Sequence, residues 1–215
     1  MDISTEIFNT HSVPILVANL ENKDKFTDAE IDLLKKIPTE QPGEDARPYL
    51  SLDTHVLEKY NLFRIKNLCD LSIKNYTENI LGIEGKFKMF ASWLTINVNN
   101  TKHHSHYHQN AMLSCVLYFN ENANDDTLAP IIFENNNLNN IFKQFQFYFE
   151  VREPNMYNTE LKIFPKTNTL IVFPGWIKHW TEESNTNEKR YCLGANYFFE
   201  DESAHGYHRL KIKVE

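Results

Sequence analysis

The stretch HHSHYHQNAMLSCVLYF, residues 103–119, places four of the chain's nine histidines within six positions, directly ahead of an apolar run. His106 and His108 form an H-x-H step. On an extended segment, residues two apart project to one face, close enough to share a single metal ion. A third ligand from a distant strand would complete such a site, and TLIVFPGWIKHW supplies His179 just after a strongly apolar stretch. Arg190 opens the next apolar stretch. If these two strands pair as an antiparallel hairpin, a metal ligand and a fixed cation share one cavity. An arginine inside a β-rich core needs an anion, and where the protein provides no carboxylate, a bound dicarboxylate is its natural partner. Solvated His-rich loops are also common, so the H-x-H step draws its weight from His179 and Arg190. His103 and His104 read as the solvated lead-in.

The elements that would hold these residues follow from local patterns. An opening strand is expected at 13–18. FTDAEIDLLKKIP carries a capping box, Thr27 with Glu30, and Pro38 stops that helix. A loop containing Pro42, Gly43 and Pro48 follows. From 55 to 81 the apolar residues Leu62, Ile65, Leu68, Cys69, Ile73, Tyr76 and Ile80 recur at three- and four-residue steps, and Gly82 sits at a C-cap position. This predicts one long amphipathic helix, a buttress for a sheet or a dimer face. Strands are then expected at 87–98, 111–119, 130–134, 144–151, 161–164, 169–173 and 190–199. The pattern is mainly β with flanking helices, a sandwich or barrel with helices on one sheet. We expect a single domain over 1–215: opening strand and helical buttress in 1–85, strand core in 86–200, tail in 201–215.

Composition narrows the function classes. The chain of 215 residues has a net charge of -7, against a general nucleic-acid binder, which needs a surplus of Lys and Arg on one face. Its three cysteines, Cys69, Cys115 and Cys192, are far apart and never in a CxxC pair, so neither a disulfide framework nor a zinc ribbon is indicated. The first residues lack a basic n-region and an apolar h-region, and no later run is long enough to span a bilayer. A cytoplasmic protein without membrane or nucleic-acid partners is expected.

The ordered pattern resembles the 2-oxoglutarate and iron(II)-dependent oxygenases of a small phage- and bacteria-associated family. It is carried by Ser92, Trp93, His106, His108, Asn110, Ser114, Tyr118, Phe133, Phe173, Pro174, His179, Arg190 and Asn196. The resemblance implies a double-stranded β-helix, a cupin-like jelly roll. It implies Fe(II) held by His106, His108 and His179, with 2-oxoglutarate paired to Arg190 and helped by Tyr118 and Asn196. It further implies consumption of dioxygen, release of succinate and carbon dioxide, and hydroxylation of a peptide side chain or small molecule.

The chain departs from this pattern where His108 stands in the place of a usual aspartate, since the common set is two histidines and a carboxylate. Glu134 ranks second as third ligand, and Asp125 and Asp126 are the other nearby acids. Cys115 and Cys192 replace small residues and read as buried packing. Asn110 and Trp176 are candidate substrate contacts, with Trp180 less so. Asn196 could face the cavity or cap a strand end, and His205 and His208 in the tail receive no role. Two other classes stay open: a metal-binding cupin without oxygenase activity, an isomerase or sensor, and a structural jelly roll. The first usually carries a glutamate shortly after H-x-H, which the segment 109–115 lacks.

Overall fold

The computed structural model describes residues 13–43, 46–119, 129–134, 160–184, 189–200, 202–203, 210–211 and 213. The chain opens with β1 (Leu16–Asn19) and α1 (Asp28–Lys35). The capping box of α1 forms as expected: Thr27 Oγ1 accepts from the Glu30 N–H, and the Glu30 carboxylate accepts from the Thr27 N–H. The loop expected before residue 55 contains a short hairpin, β2 (Thr39–Glu40) and β3 (Tyr49–Ser51).

The long helix expected at 55–81 is broken. It comprises α2 (Val56–Lys59), α3 (Phe63–Asn75) and a π-helical turn, Tyr76–Ile80. Asn61 takes a φ of 57°, a left-handed conformation that asparagine tolerates better than most residues, and this ends α2 after about one turn. The apolar spacing survives the break because Leu57, Ile65, Cys69, Ile73 and Tyr76 all enter the same core. Gly82, with a φ of 66°, lets the Ile83 N–H reach the Thr77 carbonyl at 2.8 Å.

The strands that follow are β4 (Phe87–Asn97), β5 (Leu113–Tyr118), β6 (Ile131–Glu134), β7 (Glu160–Ile163), β8 (Thr169–Pro174), β9 (His179–Thr181), β10 (Arg190–Phe199), β11 (Glu202–Ser203) and β12 (Leu210–Lys211). The strand expected at 144–151 lies outside the described residues, as do Asp125, Asp126, His205 and His208. A seven-stranded antiparallel sheet runs β1-β8-β5-β10-β4-β3-β2, and a three-stranded sheet runs β7-β6-β9. The β11–β12 pair stands apart from both.

Period-two alternation gives the large sheet two buried faces. Leu113, Leu117, Leu170, Val172, Leu193 and Tyr197 pack with the helices. Val116, Tyr118, Ile171, Phe173 and Cys192 pack instead with Ile131 and Phe133 of the small sheet. Two facing sheets with helices behind one of them make a mainly β protein with the double-stranded β-helix fold. No helix of the described residues is long and apolar enough to cross a membrane.

Candidate metal centre

The hairpin on which the sequence reading made the shared cavity conditional does not form. β8 pairs with β1 and β5, whereas β9, which carries His179, leaves the large sheet and pairs with β6. β10, which carries Arg190, runs between β5 and β4. His179 and Arg190 therefore come from opposite sheets. They still line one cavity, because the cavity lies between those sheets.

The H-x-H segment reaches the same space by extending the small sheet. His106 bridges His179, its N–H donating to the His179 carbonyl at 3.0 Å and its carbonyl accepting from the His179 N–H at 2.9 Å. The backbone thus places His106 against β9, and the two-residue step brings His108 to the same side. Possible ligand atoms of His106, His108 and His179 all lie within 4.8 Å of one another. Their ring centroids are 4.3 Å (His106–His179), 5.0 Å (His108–His179) and 5.4 Å (His106–His108) apart.

Backbone carbonyls fix two of the three rings. His106 Nδ1 lies 2.7 Å from the His104 carbonyl, and His179 Nδ1 lies 2.9 Å from the Ile177 carbonyl. A carbonyl only accepts, so each Nδ1 carries the proton and each Nε2 keeps its lone pair. His108 Nδ1 lies 2.7 Å from both Ser114 Oγ and Asn196 Oδ1. Burial holds all three imidazoles neutral: it lowers His106, and with repulsion from His106 it takes His108 down to about 4 and His179 down to about 2. The neutral ring is the form that ligates metals.

The cavity encloses about 470 Å³ including its mouth. Arg190, only 2% exposed, lies in its wall. Its Nη1 donates to Asn97 Oδ1 at 3.2 Å and its Nη2 to Tyr118 Oη at 2.9 Å, while Nε is buried and has no partner among the described residues. Register explains both contacts, since Asn97 sits directly opposite Arg190 and Tyr118 opposite Cys192. Among the described residues Arg190 forms no ion pair. Burial raises the Tyr118 phenol, so it stays protonated, and because its oxygen accepts from Arg190 its own proton remains available.

Other expected residues fall in different places. Asn196 stands behind His108 and does not line the cavity. Asn110 and Trp176 are exposed, Trp176 at 56%, and neither lines it, whereas Trp180 does. Glu134 lies 3.6 Å from Lys178 Nζ and is absent from the convergent group, which among the described residues contains no carboxylate. His104 is exposed as expected, but His103 is not left to solvent. Its N–H donates to Thr181 Oγ1 at 2.9 Å, its ring stacks on His106 at 5.3 Å, and burial lowers it to about 3. Cys115 and Cys192 are buried free thiols, and burial raises Cys192.

Sequence reasoning assigned no role to Trp93 or Thr95, which also line the cavity. The alternation of β4 put both on the face of Asn97, and that was the available signal. Gly194, opposite Trp93, makes room for the indole, because a Cβ there would lie 2.5 Å from ring carbons.

Three imidazole lone pairs and a buried cation line one cavity between two facing sheets of a double-stranded β-helix, a group of side chains that could hold a metal ion. Residues 91–196, which include His106, His108, His179 and Arg190, match the family model described as "Putative 2OG-Fe(II) oxygenase". That segment is similar to the family so described.

Solved structures share the fold at low identity. A prolyl hydroxylase from Trichoplax adhaerens, in complex with a hypoxia inducible factor peptide fragment, aligns with a TM-score of 0.60 at 10% identity, covering 86% of this chain and 83% of that one. The alpha ketoglutarate dependent epimerase SnoN from nogalamycin biosynthesis gives 0.59 at 10%, covering 93% and 88%. HygX from Streptomyces hygroscopicus, with nickel and 2-oxoglutarate bound, gives 0.56 at 11%, covering 94% and 93%. None of the curated proteins matches the chain in sequence.

Proposed function

We propose that the chain is a mononuclear iron(II), 2-oxoglutarate-dependent dioxygenase that hydroxylates a peptide side chain or a small molecule in the cytoplasm. The observation that carries this reading is the buried Arg190, which among the described residues has only neutral partners and an unpartnered Nε, in the same cavity as three convergent imidazoles. A buried cation left in that state is costly unless an anion completes it. The distal carboxylate of a keto diacid is such an anion, and its keto acid end would lie towards the metal.

The donor set fits the metal: three neutral imidazoles occupy part of a coordination sphere and leave positions open. Bound iron(II) with 2-oxoglutarate supplies oxidation by dioxygen, with loss of succinate and carbon dioxide. The protein's own contribution is positional. His106 and His179 would hold the metal from the small-sheet side, and His108, braced by Ser114 and Asn196 of the large sheet, would complete the set. Arg190 and the Tyr118 hydroxyl orient the co-substrate from the large sheet. Trp93, Ile131 and Phe173 give the cavity apolar walls that limit water. His103, Trp180 and Thr181 remain on the lining to meet a substrate.

The substrate range rests on the likeness to structures whose names include a peptide-bound prolyl hydroxylase and a form of HygX with hygromycin B bound. Others are named epimerase and carbocyclase, so hydroxylation is the reading to be tested rather than a property of the fold. A non-oxygenase metal cupin is the second reading, favoured by the all-histidine donor set, which also suits zinc. Anaerobic titration with iron(II), with and without 2-oxoglutarate, separates the two. The oxygenase reading expects a visible charge-transfer band that needs both components. Metal binding without that band supports the cupin.

A further inference from the structure

Of the three convergent imidazoles, His108 alone is held by side chains among the described residues. Ser114 on β5 and Asn196 on β10 are directly opposed across the strand pair, and their polar ends meet at His108. The distances His108 Nδ1 to Ser114 Oγ, His108 Nδ1 to Asn196 Oδ1, and Ser114 Oγ to Asn196 Oδ1 are each 2.7 Å. Three polar atoms in mutual contact need a consistent set of protons. Asn196 Oδ1 has none to give. An unprotonated Nδ1 at this distance would set two lone pairs against each other. The proton is therefore on His108 Nδ1, Asn196 Oδ1 accepts from both His108 and Ser114, and His108 Nε2 is left as the lone pair.

The backbone supports this placement. Ser114 is fully buried, and the β10–β4 register shifts between Asn196 and Tyr197, an irregularity of the kind that re-aims a side chain. Trp93 closes the remaining side edge-on, its ring centroid 5.5 Å from that of His108.

We propose that Ser114 and Asn196 are positioning residues that select the Nδ1–H tautomer of His108 and so allow an imidazole to serve at a position where a carboxylate is usual. This rests on the reading of His106, His108 and His179 as one metal centre. An acceptor behind a ligating imidazole fixes its ring and raises its basicity, and loss of such an acceptor costs roughly 10–100-fold in metal affinity. Asn196 would thus act on the metal through His108 without touching co-substrate.

The test uses the full chain loaded with cobalt(II) as a paramagnetic probe, with iron(II) affinity measured in parallel. Three ligating histidines give three exchangeable, hyperfine-shifted imidazole N–H signals, lost in heavy water. In Asn196→Leu, one of the three should broaden or vanish through faster exchange, and metal affinity should fall roughly 10–100-fold. Asn196→Asp keeps an acceptor and should retain all three signals with affinity equal to or above wild type. Ser114→Ala leaves the Asn196 acceptor in place, should perturb the same signal less, and reads the network if the leucine variant does not fold. A folded Asn196→Leu protein with three unchanged signals and affinity within twofold would overturn the proposal while leaving the metal centre intact. Only two exchangeable signals in the wild type would remove His108 from the centre and overturn the proposal at its base. Failure to bind 2-oxoglutarate at a three-signal centre would sink only the oxygenase reading.

Discussion

Replacing Arg190 by methionine keeps an unbranched side chain and removes the charge. Two terms oppose each other in the ligand-free protein. Removing a desolvated cation whose Nε has no partner among the described residues relieves about 1–3 kcal/mol, the penalty of one unsatisfied buried donor. Against this, Asn97 Oδ1 and Tyr118 Oη lose their donor, at about 1 kcal/mol each. The two terms nearly cancel, so the ligand-free midpoint should move by only a few degrees. The bound form behaves differently. Deleting one partner of a buried, charge-assisted pair costs about 3–5 kcal/mol, a loss of roughly two to three and a half orders of magnitude in 2-oxoglutarate affinity. The assay is thermal unfolding with saturating metal and rising 2-oxoglutarate. At a hundred times the dissociation constant a ligand adds about 2.7 kcal/mol, roughly 5–10 °C in a chain of this size. Wild type should show that shift and Arg190→Met should lose it, with metal content unchanged in both. A variant that keeps the shift would refute the anion-pocket argument. So would one that loses its metal together with the shift.

Further expectations concern the metal and the cavity walls. His179→Ala and His108→Ala should each lose stoichiometric iron, whereas Glu134→Ala should retain it because Glu134 lies beside Lys178; elemental analysis decides, and the reverse result for the last two makes Glu134 the ligand. Burial lowers His103, His108 and His179 below their ordinary value of 6.5, so the unfolded chain binds more protons than the folded one under mild acid. Metal-free protein should therefore hold its full stability above about pH 6.5 and lose about 1 kcal/mol per buried imidazole by pH 5.5, seen in urea midpoints. A flat profile between these values would contradict the burial of these rings. Gly194→Ala sets a methyl group against the Trp93 ring, should cost about 1–3 kcal/mol of stability, and should crowd the cavity, read as weaker 2-oxoglutarate binding with metal content retained.

How much of the site was legible can be judged from individual residues. The H-x-H step and the isolated His179 were visible because period two and an apolar strand end are local facts. Arg190 stood out because a charged residue heading an apolar run raises the question of its counter-ion. His103 was misjudged because its burial comes from pairing with Thr181, 78 positions away. Trp176 and Trp180 flank His179 alike in the sequence, yet Trp176 is exposed and Trp180 lines the cavity. That choice belongs to the turn that follows Pro174.

By itself, the sequence determined residue chemistry and alternation: which side chains carry lone pairs or charge, and which share a face within one strand. The capping box of α1 needed nothing more. Only the tertiary structure decided which sheet each strand joins. β9 turned away to pair with β6, so His179 and Arg190 meet across the sandwich instead of along a hairpin. Only folding, too, brought Ser114 and Asn196 behind His108. Strand pairing is non-local: backbone hydrogen bonds are the same for any partner, and the selection comes from burying many side chains at once on both faces of a sheet.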